Sequence, residues 1–187
     1  MEAKFPLKEN VQYVHRDRNG NIKKLFKHNK LGKFIYKHFG IDFKIPTLFG
    51  NLVDKMVIEN LITSAGMVAV AARINADAVT EFTYIAVGTG TTAANVADTT
   101  LETETATSGL SRAAATPSAV DSGTGYNDTA QLVKTFTVTG SVAVTESGVL
   151  NAGAAGTLLA HQVFSAVNVV DGDSLEITWK FVVADGA

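Results

Sequence analysis

The clearest pattern along the chain is an alternation near its C-terminal end. Leu175, Ile177, Trp179 and Phe181 stand on one face and Glu176, Thr178 and Lys180 on the other, which predicts a strand over 174–183 with one buried side. Shorter apolar runs between Gly-, Asp- and Ser-rich turns predict strands at 82–87, 112–118, 131–139, 148–151 and 158–164. Helical spacing occurs twice. Leu61, Ile62, Ala65, Val68, Ala69 and Ala72 form a stripe that predicts a helix over 60–73, capped by Asn60. Gly66 inside it costs about 1 kcal/mol relative to alanine. Leu31, Phe34, Ile35 and His38 or Phe39 predict a short helix capped by Asn29 and closed by Gly40, with Lys30, Lys33 and Lys37 on its other face. Ahead of it, Val11, Tyr13 and His15 share one face of a strand, Asn19-Gly20 supplies a turn, and Ile22–Phe26 returns as the second strand of a hairpin. Residues 41–50 read as extended chain with Phe43, Ile45, Leu48 and Phe49 on it.

Many short strands separated by tight turns predict a mainly β fold: an antiparallel β-sandwich or jelly-roll-like domain with a short helix. The pattern divides the chain into an extended N-terminal arm, residues 1–55, made of the hairpin and the short helix, and a β-rich body, residues 56–187, led in by the helix near 60–73.

Charge sharpens that division. The net charge is −2, but residues 1–55 hold twelve Lys or Arg against five Asp or Glu, a net +7, while residues 56–187 carry −9. A basic arm beside an acidic body predicts an acidic partner surface: nucleic acid, another protein, or the body of a neighbouring copy. Lys23, Lys24, Lys27, Lys30, Lys33 and Lys37 with Tyr13, Phe26, Phe34 and Tyr36 interleaved fit a nucleic-acid track; the favoured reading is a solvated helix face with aromatic anchors in a protein groove, and charge alone does not separate the two. The docking candidates are therefore Phe26, Lys30, Lys33, Phe34, Lys37, Phe39, Phe43, Ile45, Leu48 and Phe49. Cysteine is absent, which removes disulfides and thiolate metal sites. The most apolar stretch, 61–74, holds Gly66 and Arg73 and falls short of the roughly 20 residues a bilayer span needs. No signal-peptide pattern is present at Met1–Asn10, so synthesis in a cytoplasm is expected.

Candidate chemistry is thin. Gly88-Thr89-Gly90 follows a strand, but it has neither the third glycine of a dinucleotide fingerprint nor the Gly-Lys-Ser/Thr of a P-loop, and it reads as a turn. His15, His28, His38 and His161 lack the i, i+4 spacing of a helical metal site. Glu102 and Glu104, and Asp171 and Asp173, are paired carboxylates in turn-like sequence. Asp171-Gly172-Asp173 most simply makes a tight turn, and it lacks the remaining ligands of an EF-hand loop. No Gly-x-Ser-x-Gly occurs, and His161 lies in a predicted strand where a packed imidazole is expected. No catalytic residue, cofactor or metal is predicted.

The run at 82–104, FTYIAVGTGTTAANVADTTLETE, resembles a segment of tailed-bacteriophage structural proteins in which an IAVGTGTTA strand and turn precede a DTxLxxE stretch. The runs FTVT at 136–139, VTESGVLN at 144–151, GTLLA at 156–160, FSA at 164–166 and DSLEITW at 173–179 are similar to the rest of that module. NLITSAG at 60–66 resembles its opening, and HRDRNGNI at 15–22 resembles the hairpin that begins many such chains. The resemblance covers most of 60–183, and it makes residues 25–48 an addition relative to shorter members. It implies a non-enzymatic virion protein and brings no catalytic residues. The expected role is capsid decoration, or cement, with the arm docked on the major capsid protein or other virion proteins and the copies assembled as homo-oligomers, a trimer favoured. The alternatives are a tail or neck accessory protein, such as a fibre adaptor or collar, and, less favoured, a DNA-contacting internal head protein.

Overall fold

The computed structural model describes residues 7–39, 41–42, 44–59, 61–74 and 79–183. The alternating C-terminal segment forms β12 (Ser174–Val183), and Leu175, Ile177, Trp179 and Phe181 are all buried. On one side β12 pairs with β9 (Thr129–Thr137), which pairs with β8 (Thr116–Val120). On its other side lies β1 (Leu7–Arg16), matched to it residue by residue from Leu7↔Val183 to Arg16↔Ser174. The outer strand beyond β1 is β4 (Met56–Glu59). These five make one antiparallel sheet in the order β4-β1-β12-β9-β8.

The second five-stranded sheet runs β5 (Leu61–Ile62), β11 (Leu158–Val169), β10 (Val142–Leu150), β6 (Tyr84–Gly88) and β7 (Ala113–Ala114). Its pairings are also antiparallel. The two sheets face each other as a β-sandwich around one core that includes Val11, Tyr13, Ile85, Val87, Phe136, Val144, Ile177 and Trp179. Tyr13 of one sheet stacks on Phe164 of the other at 4.5 Å. The Trp179 Nε1–H donates across the gap to the Ser147 hydroxyl at 3.1 Å, which in turn donates to the Ala86 carbonyl. The mainly β sandwich expected from the strand pattern is the fold observed.

Several local expectations are corrected. The N-terminal hairpin does not form as a two-stranded unit. Both edges of β1 are taken, by β12 along its whole length and by β4 at Asn10–Tyr13, so the returning chain adds only an Arg16↔Ile22 bridge. The return strand is instead β2 (Leu25–His28), which pairs with β3 (Gly50–Val53) in a separate ribbon. Residues 7–16 therefore belong to the body, and the arm is the excursion between β1 and β4. The stretch 41–50 is not uniformly extended: the chain turns at 47–49, where the Thr47 N–H donates to the Gly50 carbonyl and the Phe49 N–H to that of Ile45. The segment predicted at 112–118 splits into β7 and β8, which lie in different sheets, and the one predicted at 148–151 is the end of the longer β10.

Helix α1 (Lys30–Phe39) is capped as the sequence indicates: the Asn29 Oδ1 accepts from the Gly32 N–H at 2.9 Å. Gly40, its expected terminator, lies outside the described residues. Helix α2 (Ser64–Ile74) starts later than its apolar stripe suggests, because Leu61 and Ile62 are spent on β5. Its cap is Thr63, whose hydroxyl accepts from the Gly66 N–H at 3.0 Å and donates to the Leu158 carbonyl; Asn60 lies outside the described residues. Gly66 is required by contact rather than tolerated: a Cβ there would sit 2.3 Å from the Leu159 carbonyl oxygen of β11. Gly66→Ala is expected to lower stability by about 1–3 kcal/mol through overpacking, the opposite sign to helix propensity. The urea midpoint of the variant checks it.

Candidate functional site

The arm is anchored on the core by Leu25, with Val53 packed against the same cluster, and beyond that it is ordered by its own backbone and polar contacts. The Asn29 N–H donates to the Phe49 carbonyl and the Asn29 side chain to that of Leu48. Gly32 is the buried residue of α1, because a Cβ there would meet the Phe49 carbonyl oxygen at 2.2 Å. The buried His28 Nε2 stands 2.8 Å from an Asp42 carboxylate oxygen, but not in hydrogen-bonding geometry. With the backbone so fixed, Phe34, Phe39, Ile45 and Leu48 remain about half or more exposed, joined by Leu31, Ile41 and Leu52. Phe34 stacks on His38 at 4.3 Å and lies edge-on to Phe39.

Of the docking candidates, Phe34, Phe39, Ile45 and Leu48 present apolar surface, and Lys30, Lys33 and Lys37 are exposed cations with no carboxylate in salt-bridge range among the described residues. Phe26 and Phe49 are half-buried, Phe26 packing edge-on to His28 at 5.0 Å. Phe43 lies outside the described residues. Exposed apolar side chains gathered on one short stretch of chain are the kind of surface a partner covers.

A second concentration of chemistry lies inside the body, and the sequence reading missed it. Glu146 on β10 is fully buried. One carboxylate oxygen accepts from the Gly90 N–H at 3.0 Å and the Thr103 N–H at 2.7 Å; the other accepts from the Glu102 N–H at 3.0 Å and from His161 Nε2 at 3.0 Å. The other ring nitrogen of His161, Nδ1, is 2.8 Å from Asp98. Carboxylates only accept, so an imidazole held between two of them donates from both nitrogens and is an imidazolium. Burial pushes His161 down, but the bonds to Glu146 and Asp98 outweigh it and raise it above the ordinary imidazole value. Burial pushes Glu146 up, yet His161 and the three backbone N–H groups hold it below the ordinary carboxylate range. Asp98 is likewise held low, burial being outweighed by the Asn95 N–H and His161.

This centre gives a physical role to Gly88, Gly90, Asp98, Glu102 and Thr103 of the 82–104 run. The loop after β6 wraps over Glu146, and a Cβ on Gly88 would fall 2.3 Å from Glu146 Oε1. Glu102 folds back to accept from the N–H groups of Thr91 and Thr92. Glu104 instead pairs with Arg112, whose guanidinium also reaches the carbonyls of Ala152 and Ala155. The two glutamates therefore brace separate turns. His161 has no nitrogen left for a substrate proton, which removes it as a general base. Among the described residues, no cluster of three or more His, Asp or Glu side chains is arranged to hold a metal ion.

Asp171-Gly172-Asp173 is the turn before β12. The Asp173 carboxylate accepts from His15 Nε2 and Lys23 Nζ, both at 2.8 Å, and from the Val170 N–H. Burial raises it, but these three partners bring it down to about 2. The Lys23 ammonium and the His15 ring thus occupy the carboxylate oxygen a calcium ion would need. No described helix is long and apolar enough to cross a membrane. No protein-family model, curated protein or solved structure matches the chain.

Proposed function

We propose that the chain is a non-enzymatic structural protein of a tailed-phage virion, a capsid decoration protein that docks on neighbouring capsid subunits through the excursion between β1 and β4. The observation that carries this reading is the exposed apolar and basic surface of α1 and the 45–52 segment, held in place by an otherwise self-satisfied sandwich. The buried polar clusters support it, since their hydrogen-bonding groups are already occupied by one another. A stable contact needs about 800 Å² per partner, and aromatic anchors rimmed by cations are the residues that dominate such contacts.

The test is co-sedimentation of the full chain with tailed-phage heads purified without it. The wild type is expected to bind on the order of hundreds of copies per head, as a symmetric lattice of identical sites requires. A handful of copies would assign it to a neck or tail instead. Phe34→Ser with Phe39→Ser is expected to weaken binding by about tenfold or more, since removing two anchors costs at least ~1.4 kcal/mol. Unchanged binding by this variant would remove the arm as the anchor. Point substitutions are the sound tool, because deleting residues 1–55 would take β1 out of the first sheet.

A further inference from the structure

Between α1 and the open side of the sandwich lies a groove of about 560 Å³. It sits where β4 of one sheet and β11 of the other come side by side. Tyr13 stacked on Phe164 forms part of its lining, with Phe26, Tyr36 and Met56. Lys27, Lys33 and Lys37 also line it, and among the described residues no Asp or Glu does. The groove is wide enough for an aromatic side chain with its flanking backbone. An apolar floor with cations around it fits an aromatic residue carried on an acidic segment.

The chain itself displays such a segment. The loop between β8 and β9, residues 121–128, holds Tyr126 at 70% exposure between Asp121 and Asp128. Both carboxylates brace the loop from within. Asp121 accepts from the N–H groups of Gly123, Thr124 and Gly125. Asp128 accepts from the Ser122 N–H and from the hydroxyls of Ser122, Thr124 and Thr129. Those bonds keep Asp128 ionised, down to about 2, and lower Asp121 as well. A loop braced in this way presents its aromatic tip already ordered, so little freedom is lost on binding.

We propose that the Tyr126 loop of one copy inserts into the groove beside α1 of a second copy. The acidic loop meets Lys27, Lys33 and Lys37, and the Tyr126 ring meets the aromatic lining. The contact cannot close within one chain. Tyr13 lies opposite Ile177, whereas the loop emerges beside the Val182 end of β12, two strands further along the sheet. The joint is therefore head-to-tail, with two different surfaces meeting, and it builds a ring or an open chain of copies. It goes beyond docking on the capsid: the two contacts share Lys33 and Lys37, but Phe34 and Phe39 do not line the groove.

Sedimentation velocity of the full chain tests the joint. The wild type is expected to self-associate with rising concentration, and less so at high salt. Tyr126→Ala, and separately Lys33→Glu with Lys37→Glu, are each expected to weaken association about thirtyfold or more, as loss of a hot spot does. Because the surfaces differ, an equimolar mixture of the two variants retains one intact loop and one intact groove, and is expected to form a 1:1 heterodimer and nothing larger. Phe34→Ser with Phe39→Ser is expected to self-associate like the wild type, which separates this joint from the capsid contact. A wild type that stays monomeric throughout, a Tyr126→Ala variant that associates normally, or a mixture that stays monomeric would each overturn the proposal.

Discussion

Glu146→Ala is expected to destabilise the chain by about 3–5 kcal/mol, the cost of leaving a buried charge network without its partner. Three backbone N–H groups, those of Gly90, Glu102 and Thr103, lose their acceptor together, and the His161 imidazolium loses one of its two anions. Chemical denaturation measures the loss, and amide exchange should locate it at residues 88–105. Glu146→Gln keeps the volume and one acceptor oxygen, so a smaller loss of about 1–3 kcal/mol is expected.

The same centre sets a pH dependence with a definite sign. Glu146 and Asp98 are held low, so the stability they carry is full above the ordinary carboxylate range and is lost as pH falls through their lowered values. His161 is raised, so its contribution is full below the ordinary imidazole value and is lost as pH rises through the raised one. Stability contributed by the centre is greatest between those two windows. The fall on the alkaline side should be smaller in Glu146→Gln, where one of the anions that raises His161 is gone. Denaturation midpoints across pH for the two proteins check this; equal alkaline slopes would remove His161 as the responsible group.

Trp179→Ala is the second large effect, at about 3–5 kcal/mol. The indole is fully buried between the sheets, stacked near Phe181 at 6.0 Å and bonded to Ser147. Trp179→Phe is expected to cost less, because a ring still fills most of the space. Ser147→Ala leaves the indole N–H and the Ala86 carbonyl without their partner, about 1–3 kcal/mol. In the double variant Trp179→Phe with Ser147→Ala, the total loss should fall short of the sum, since each change removes the same bond. Strict additivity would show that the bond contributes nothing.

The fold was legible where burial alone writes the pattern. β12 alternates cleanly because it is covered on one face along its length, and its bounds match the expectation to the residue. The N-terminal pairing was not legible. Val11, Tyr13 and His15 announce a strand, and Asn19-Gly20 announces a turn, but nothing local reveals that β12, some 160 residues on, competes for β1. The 82–104 run read as a strand, a turn and a polar stretch, and the physical reason for that order was hidden. The available signal was Glu146 itself: a carboxylate between Val144 and Val149 in a strand buried on both faces must have donors around it. On the arm, helix, cap and charge were all readable from the sequence. Exposure was not, since an aromatic stripe reads the same whether its partner lies on this chain or on another.

The pairing of β1 with β12 also fixes an order of events. A nascent chain emerges with β1 first and its main partner last, so the first sheet cannot close while the ribosome is still adding β12. The loop this closure spans is nearly the whole chain, which makes the step entropically costly and slow compared with a local hairpin. Until then, β1 has only β4 to pair with, at Asn10–Tyr13, and Tyr13 lacks its neighbour Ile177. Assembly through the groove beside α1 is therefore expected to follow the closure of the first sheet rather than precede it.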